Sequence, residues 1–448
     1  MAMTAFAVPD FGDAGRSGVH PGGGVKDRPS VAWRALTKAA VLAAPVLAGD
    51  TLYVVDVRGS LYALDAADGT VRWRSGGLDE KWDYLNPVFT GSPTVWGGLL
   101  FLPDRDYEGC VHVHDRLTGT LLHRLKPGAS CCTVAGDLLL CTDLNHGVRA
   151  LDLPELTPRW HNEDFTGLLE ADLALSATGV AYAALGFEGH HTHSGVVAFD
   201  VNSGAEIFQA GDDQEAQCPL EAELLSSMED DDDDDDDDEE EERPSDWVLF
   251  AQAHAVLAES LAWMPARREH GDDGFHSQLW TSAEVVGLDP VTGRRRWSFQ
   301  LDPRLASEVS GAVAVAGGRL FFIVAQGGDP ETEPERPFEF MLYAVDIATA
   351  APVWTIRLPA LPVGSPVLAD GLIYLAARDG TISTYQQLTG ESVWQVNLDD
   401  EIVGGRYELT EYLGAQYSEE NLAILPADEM IYVRTRAGIT ALTSAMTR

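Results

Sequence analysis

Short apolar runs rich in β-branched and aromatic residues recur along the chain, each bounded by Gly, Asp or Asn. One recurring form is a pair of runs split by a tight turn: APVLAGDTLYVV from Ala44, SPTVWGGLLFL from Ser92, AVLAESLAWMPA from Ala255, VAVAGGRLFFIV from Val313 and SPVLADGLIYLA from Ser365. Runs of this length, punctuated this way, predict β-hairpins rather than helices. A second pair follows the first. In it an Asp precedes a Thr-Gly or Asp-Gly turn, and an aromatic stands eight residues after the Asp, as in SLYALDAADGTVRW with Asp65 and Trp73. The pattern returns as Asp115/His123, Asp152/Trp160, Asp200/Phe208, Asp289/Trp297 and Asp346/Trp354, and as Gln386/Trp394 in a further copy.

Each unit therefore holds four short strands, lettered a to d, with the aromatic on d. A repeat of this length reads as one blade of a closed ring. Seven units are complete, and an eighth, PADEMIYVRTRAGITALT from Pro426, supplies only a, b and c. Val31-Ala32-Trp33-Arg34 is a β-type run with a Trp just before the first a strand. Placed beside the last c strand, it removes the open edge that an unclosed array would leave. The expected fold is all-β: an eight-bladed β-propeller of four-stranded antiparallel blades, closed by pairing of an N-terminal strand with the C-terminal blade. The expected organisation is a flexible arm over residues 1–30 and a propeller over 31–448, with an acidic disordered insertion at 211–246.

Ala63-x-Asp65, Gly69 and Trp73 resemble the pyrroloquinoline quinone-like β-propeller repeat, whose docking pattern is Ala-x-Asp-x-x-x-Gly-x-x-x-Trp. Asp289, Gly293 and Trp297 fit it too, with Gly287 in place of the Ala. The resemblance covers nearly the whole chain. It is similar to the propellers of an outer-membrane assembly lipoprotein and of quinoprotein dehydrogenases, and it implies that each blade's Trp packs on its neighbour. The Gly-His and Trp-Asp signatures of WD-repeat propellers are missing.

The a–b and c–d turns are short, and every long insertion joins b to c or d to a. One face of the ring thus carries all the elaboration, and loops on a rigid scaffold are where binding resides. Candidate binding residues in these loops are the aromatics Trp82, Tyr84, Phe89, Tyr407, Tyr412 and Tyr417, and the imidazole cluster His190, His191 and His193. The acidic run, from Glu229 through Asp230, Asp234 and Asp238 to Glu242, is expected to be solvated and disordered. The run and the histidine loop together give a further alternative, cation binding. Cys131-Cys132 opens an inner strand, where the resemblance to quinoprotein alcohol dehydrogenases implies a vicinal pair touching the quinone. That is the alternative reading, with pyrroloquinoline quinone and Ca²⁺ as cofactors, although Thr133 stands where the family pattern has an Asp. No nucleophile elbow, phosphate-binding Gly loop or HExxH motif occurs. His254 and His123 are expected as structural residues in blade strands.

Charge narrows the partners. The 448 residues carry a formal net charge of −41, and removing the 14 acidic residues of the run leaves −27. Only four lysines are present, so phosphate-backbone binding to nucleic acid is excluded, and a basic partner suits the field better. Five cysteines without CxxC spacing are not a disulfide framework. Residues 34–50 mimic a signal peptide, but the repeat uses their end as strand and turn. No apolar stretch is long enough to span a bilayer. The sequence reading is a cytoplasmic, monomeric, non-catalytic scaffold. It needs no cofactor or metal and binds a protein or peptide on the face with the long loops.

Overall fold

The computed structural model describes residues 13–14, 16–76, 91–103, 110–129, 131–143, 147–163, 173–185, 195–211, 256–270, 280–302, 306–327, 339–403, 422–427 and 429–444. Trp82, Tyr84, Phe89, His190, His191, His193, Asp230, Asp234, Asp238, Glu242, His254, Tyr407, Tyr412 and Tyr417 lie outside the described residues.

The apolar runs form eight four-stranded antiparallel sheets. Blade 1 comprises Val46–Ala48, Thr51–Val55, Ser60–Asp65 and Val71–Gly76, and blade 2 Thr94–Trp96, Leu99–Pro103, Val111–Asp115 and Leu121–Leu125. Blade 3 is Cys131–Ala135, Leu138–Asp143, Gly147–Asp152 and Thr157–Asn162, and blade 4 is Ala174–Leu175, Val180–Leu185, Gly195–Asp200 and Glu206–Gly211. Blade 5 is Val256–Ala258, Leu261–His270, Trp280–Leu288 and Arg295–Gln300, and blade 6 is Ala306–Ala316, Arg319–Gly327, Glu339–Asp346 and Ala351–Arg357. Blade 7 is Pro362–Ala369, Leu372–Ala377, Thr381–Gln386 and Ser392–Asn397. Blade 8 has Ile424–Ala427, Met430–Thr435 and Gly438–Ser444, and takes Pro29–Leu36 as its d strand.

Burial follows the strand order. Thr51–Val55 is buried throughout, whereas Val71–Gly76 on the rim alternates between exposed and half-buried. The core lies between blades. Val46, Tyr53, Leu61 and Ala63 of blade 1 pack with Val95, Leu100 and Leu102 of blade 2. Strands b and c of blade 5 stay paired out to His270↔Trp280. Ladder bonds are backbone bonds, so the polar composition there does not end the strands.

Adjacent blades are joined by the tryptophans. Trp73 donates its Nε1–H to the Arg116 carbonyl of blade 2 at 3.0 Å, Trp160 to Val201 of blade 4 at 3.0 Å, and Trp297 to Ile347 of blade 6 at 2.7 Å. Each ring lies over the c–d turn of the next blade, and the turn's first residue is the repeat Asp. Asp115 accepts from the amides of Leu117 and Thr118, and the Thr118 hydroxyl hydrogen-bonds to the same carboxylate oxygen. These bonds, led by that of the Thr118 hydroxyl, hold the carboxyl below its ordinary range.

Ring closure follows the expected register. Trp33 pairs with Ala441, Arg34 with Thr440 and Ala35 with Ile439. Trp33 also donates to the Ala66 carbonyl of blade 1 at 3.2 Å, so the N-terminal strand docks blade 8 on blade 1 as the other tryptophans do. A buried indole contributes roughly 4–6 kcal/mol at most by area, against about 1 kcal/mol for its hydrogen bond, so packing dominates the joint.

One joint differs. Blade 8 takes its c and d strands from opposite ends of the chain, so it has no c–d turn to receive Trp394 of blade 7. Trp394 instead donates to the Val25 carbonyl at 3.0 Å, as does the Tyr374 hydroxyl at 3.2 Å. The segment expected to be a flexible arm is thus packed against the ring over residues 16–28. Val25 is fully buried, and Arg16, Ser17 and His20 are nearly so.

Candidate functional site

The N-terminal segment crosses the central channel. The Leu175 amide of blade 4 donates to the Ala14 carbonyl at 2.6 Å, and Val315 of blade 6 to Ser17 at 2.8 Å. Leu368 of blade 7 donates to Gly18 and accepts from the His20 amide, both at 2.8 Å, around a parallel bridge between Val19 and Leu368. Gly18 is required there, because a Cβ would sit 2.8 Å from the Ala314 Cβ at φ +78°. Leu175, Val315 and Leu368 stand at the ends of their a strands, next to the a–b turns. The segment therefore lies at the mouth of the channel on the a–b turn face.

Beside the segment remains a cavity of about 680 Å³. Its walls are Asp13, Ala14 and Arg16 of the segment, Ser92–Val95 of blade 2, Cys132–Leu138 of blade 3, and the end of the inner strand of blade 4. The wall is pinned by polar bonds that cross blades: Thr94 Oγ1 donates to the Cys132 carbonyl at 2.5 Å, and the Leu173 amide donates to Thr133 Oγ1 at 3.1 Å. Asp13 is engaged within the segment, accepting from the Ser17 amide at 3.0 Å and the Ser17 hydroxyl at 2.5 Å.

Of the sequence-predicted site residues, Cys131 and Cys132 are described, and both are buried. Successive side chains of an extended strand leave opposite faces. Cys132 packs with Phe101 and Val111 of blade 2 and with Leu139 and Cys141 of its own blade. A Ca²⁺-bound quinone requires a set of hard oxygen ligands. No group of three or more His, Cys, Asp or Glu suited to a metal occurs among the described residues. The described residues therefore do not supply that ligand set.

Sequence reasoning missed Arg16, Ser17, His20 and Val25, which lie in a Gly-rich stretch without strand periodicity. The signal was indirect: Trp394 fits the docking pattern, yet no c–d turn follows in blade 8. It also missed Arg149, a buried cation on strand c of blade 3.

The four-stranded blades, the Asp turns and the docked tryptophans define an eight-bladed propeller of the pyrroloquinoline quinone-like repeat class. The chain belongs to the family described as outer membrane protein assembly factor BamB, which it matches over residues 27–88 and 281–443. No curated protein matches the sequence. Among solved structures it is similar to quinohemoprotein alcohol dehydrogenase from Comamonas testosteroni, with 12% identity and a TM-score of 0.63 over 100% of this chain and 82% of that one. It is similar to BamB from Moraxella catarrhalis, with 12% identity and a TM-score of 0.55 over 92% and 98% of the two chains. A computationally designed protein, Ika8, gives 12% identity and a TM-score of 0.57 over 93% and 99%. At this identity the likeness is one of fold, and the fold is common to enzymes and non-enzymes alike.

Proposed function

We propose that the protein is a non-catalytic scaffold that binds a protein or peptide on the face carrying the b–c and d–a loops. One observation carries this reading. The channel mouth on the a–b face is partly covered by the chain's own segment, held through backbone bonds to the inner strands of blades 4, 6 and 7, with the 680 Å³ cavity beside it. A ring that accommodates an extended segment of its own supports peptide binding, and we assign the partner to the opposite face. Described strands flank residues 77–90, 104–109, 212–255, 328–338 and 404–421, so each of these segments joins b to c or d to a.

The partner is basic in this reading, because the net charge of −41 includes the acidic run on one of these insertions. We place the protein in the cytoplasm as a monomer, in keeping with cysteines that form no disulfide framework. Among the described residues no helix is long and apolar enough to cross a membrane.

The test is affinity capture with the full-length protein and with a variant lacking residues 211–246. A specific partner retained by the full chain and depleted by the deletion is the expected result. Equal recovery by both would separate the insertion from binding. Tight uptake of pyrroloquinoline quinone with Ca²⁺, accompanied by dye reduction, would replace the scaffold reading with an oxidoreductase.

A further inference from the structure

Blade 3 carries one row of side chains that the scaffold reading does not use. Cys132 on strand a pairs with Cys141 on b, Cys141 with Arg149 on c, and Arg149 with His161 on d. Directly opposite residues of antiparallel strands share a face of the sheet and stand within side-chain reach. The two sulfurs are 3.7 Å apart, and both thiols are 2% exposed in the apolar interface between blades 2 and 3.

Arg149 is the unusual member. Its guanidinium is buried and donates from Nη2 to the Pro127 carbonyl and, at 3.3 Å, to the Gly128 carbonyl. Its Nε has no acceptor, and among the described residues no carboxylate pairs with it. A buried cation without a counter-charge is costly. Within the row, the group able to supply that charge is the Cys141 thiol. The hydrogen bond from Cys132 and then the Arg149 guanidinium hold Cys141 below the ordinary thiol range, while the same bond and burial push Cys132 up.

We propose that Cys132 and Cys141 form a redox-active dithiol, oxidised by a peroxide to a cross-strand disulfide, with Arg149 as the positioning residue that holds the Cys141 thiolate. The Cys141 thiolate attacks one peroxide oxygen. The S–O bond forms, the O–O bond breaks, and hydroxide leaves and is protonated by solvent. The Cys132 sulfur then attacks the sulfenic sulfur and the S–S bond forms. The sulfenic hydroxide departs with the Cys132 proton as water. Two sulfurs lose two electrons and one peroxide gains them. A dithiol reductant reverses the reaction by exchange. Cys132 is part of the wall of the 680 Å³ cavity and Cys141, which does not line it, has its sulfur 3.7 Å from that of Cys132, so the cavity brings a water-sized oxidant beside the pair. Cys131, on the opposite face of the same strand, is not a partner.

The sequence provides a direct readout. A protease that cuts on the N-terminal side of Asp releases residues 115–136, with Cys131 and Cys132, separately from residues 137–142, with Cys141. Full-length protein is treated with hydrogen peroxide, alkylated and digested. The expected product is the two fragments joined, two hydrogens lighter than their sum and separated again by dithiothreitol. Cys131→Ser is expected to leave the reaction intact. Arg149→Met is expected to slow it by about tenfold, the change in thiolate that follows one unit of thiol pKa, and Arg149→Lys to restore most of the rate. A bond confined to residues 115–136, a sulfinic acid on isolated residues 137–142, or unmodified Cys132 and Cys141 at peroxide levels that oxidise Cys110 would each overturn the proposal.

Discussion

At four joints between blades a glycine, Gly69, Gly119, Gly204 or Gly390, lies directly beneath a tryptophan ring. At Gly119 a Cβ would fall 2.4 Å from the Trp73 ring at φ +71°, and at Gly204 2.4 Å from Trp160 at φ +70°. Gly97, in an a–b turn at φ +55°, has nothing within 4 Å of its Cβ position. Gly119→Ala and Gly97→Ala therefore share the left-handed strain of about 1 kcal/mol, and only the first adds an overpacked ring. We expect Gly119→Ala to lower unfolding stability by ~1–3 kcal/mol more than Gly97→Ala in denaturant titrations, and equal losses would contradict the docking account.

Asp65, Gly69 and Trp73 were legible because their spacing is fixed by a turn that must place backbone under a ring. The exceptions were not. Leu156 at φ 59° and Ala350 at φ 50° stand where the other complete blades have glycine; Leu156 faces a blade whose aromatic position is His123, whereas Ala350 lies in the turn that receives Trp297. Cys132 was legible as an inner-strand residue. Its sulfur's approach to Cys141 was not, because cross-strand register is a long-range property.

At the scale of elements, the N-terminal segment is where local pattern and tertiary structure part. Residues 16–28 contain GVHPGGGV, with neither strand nor helix periodicity, and their order comes from the ring they cross. What fixes them is the vacancy left by the absent c–d turn of blade 8 and the free edge of the blade 7 inner strand. His20 makes this docking pH-dependent. Burial drives its pKa from 6.5 to about 4, and neither ring nitrogen has a hydrogen-bond partner. A released segment takes up a proton as pH falls through 6.5, whereas the docked one does so only near 4. Docking is therefore strongest above pH 6.5, weakens as pH falls, and levels off below about 4. The full loss is on the order of 3 kcal/mol. Hydrogen-exchange protection at the amides of Val315 and Leu368, which bond to Ser17 and Gly18, should fall across that window. In His20→Leu the protection should stay flat, and a wild-type profile there would assign the effect to another group.

The ring as a whole was the most legible level. An array of identical units has one way to remove its two edges, and Trp33 pairing with Ala441 is that way. Four-strand composition and the short turns of one face followed from the repeat alone. Placement of binding residues did not, because long insertions obey no repeat. The charge of −41 sharpens in the same sense: 14 of those charges lie in a single insertion between strand d of blade 4 and strand a of blade 5.

The central claim is that a partner meets the face of the b–c and d–a insertions and not the face of the a–b turns. Photo-crosslinking side chains placed one at a time tests it directly. Arg58 and Asp379, exposed on the b–c turns of blades 1 and 7, report on the first face, and Leu117 and Leu388, 74% and 68% exposed on c–d turns, report on the second. Capture of one partner from Arg58 and Asp379, with none from Leu117 and Leu388, is the predicted result. Capture of that partner from the c–d turn positions alone would contradict it.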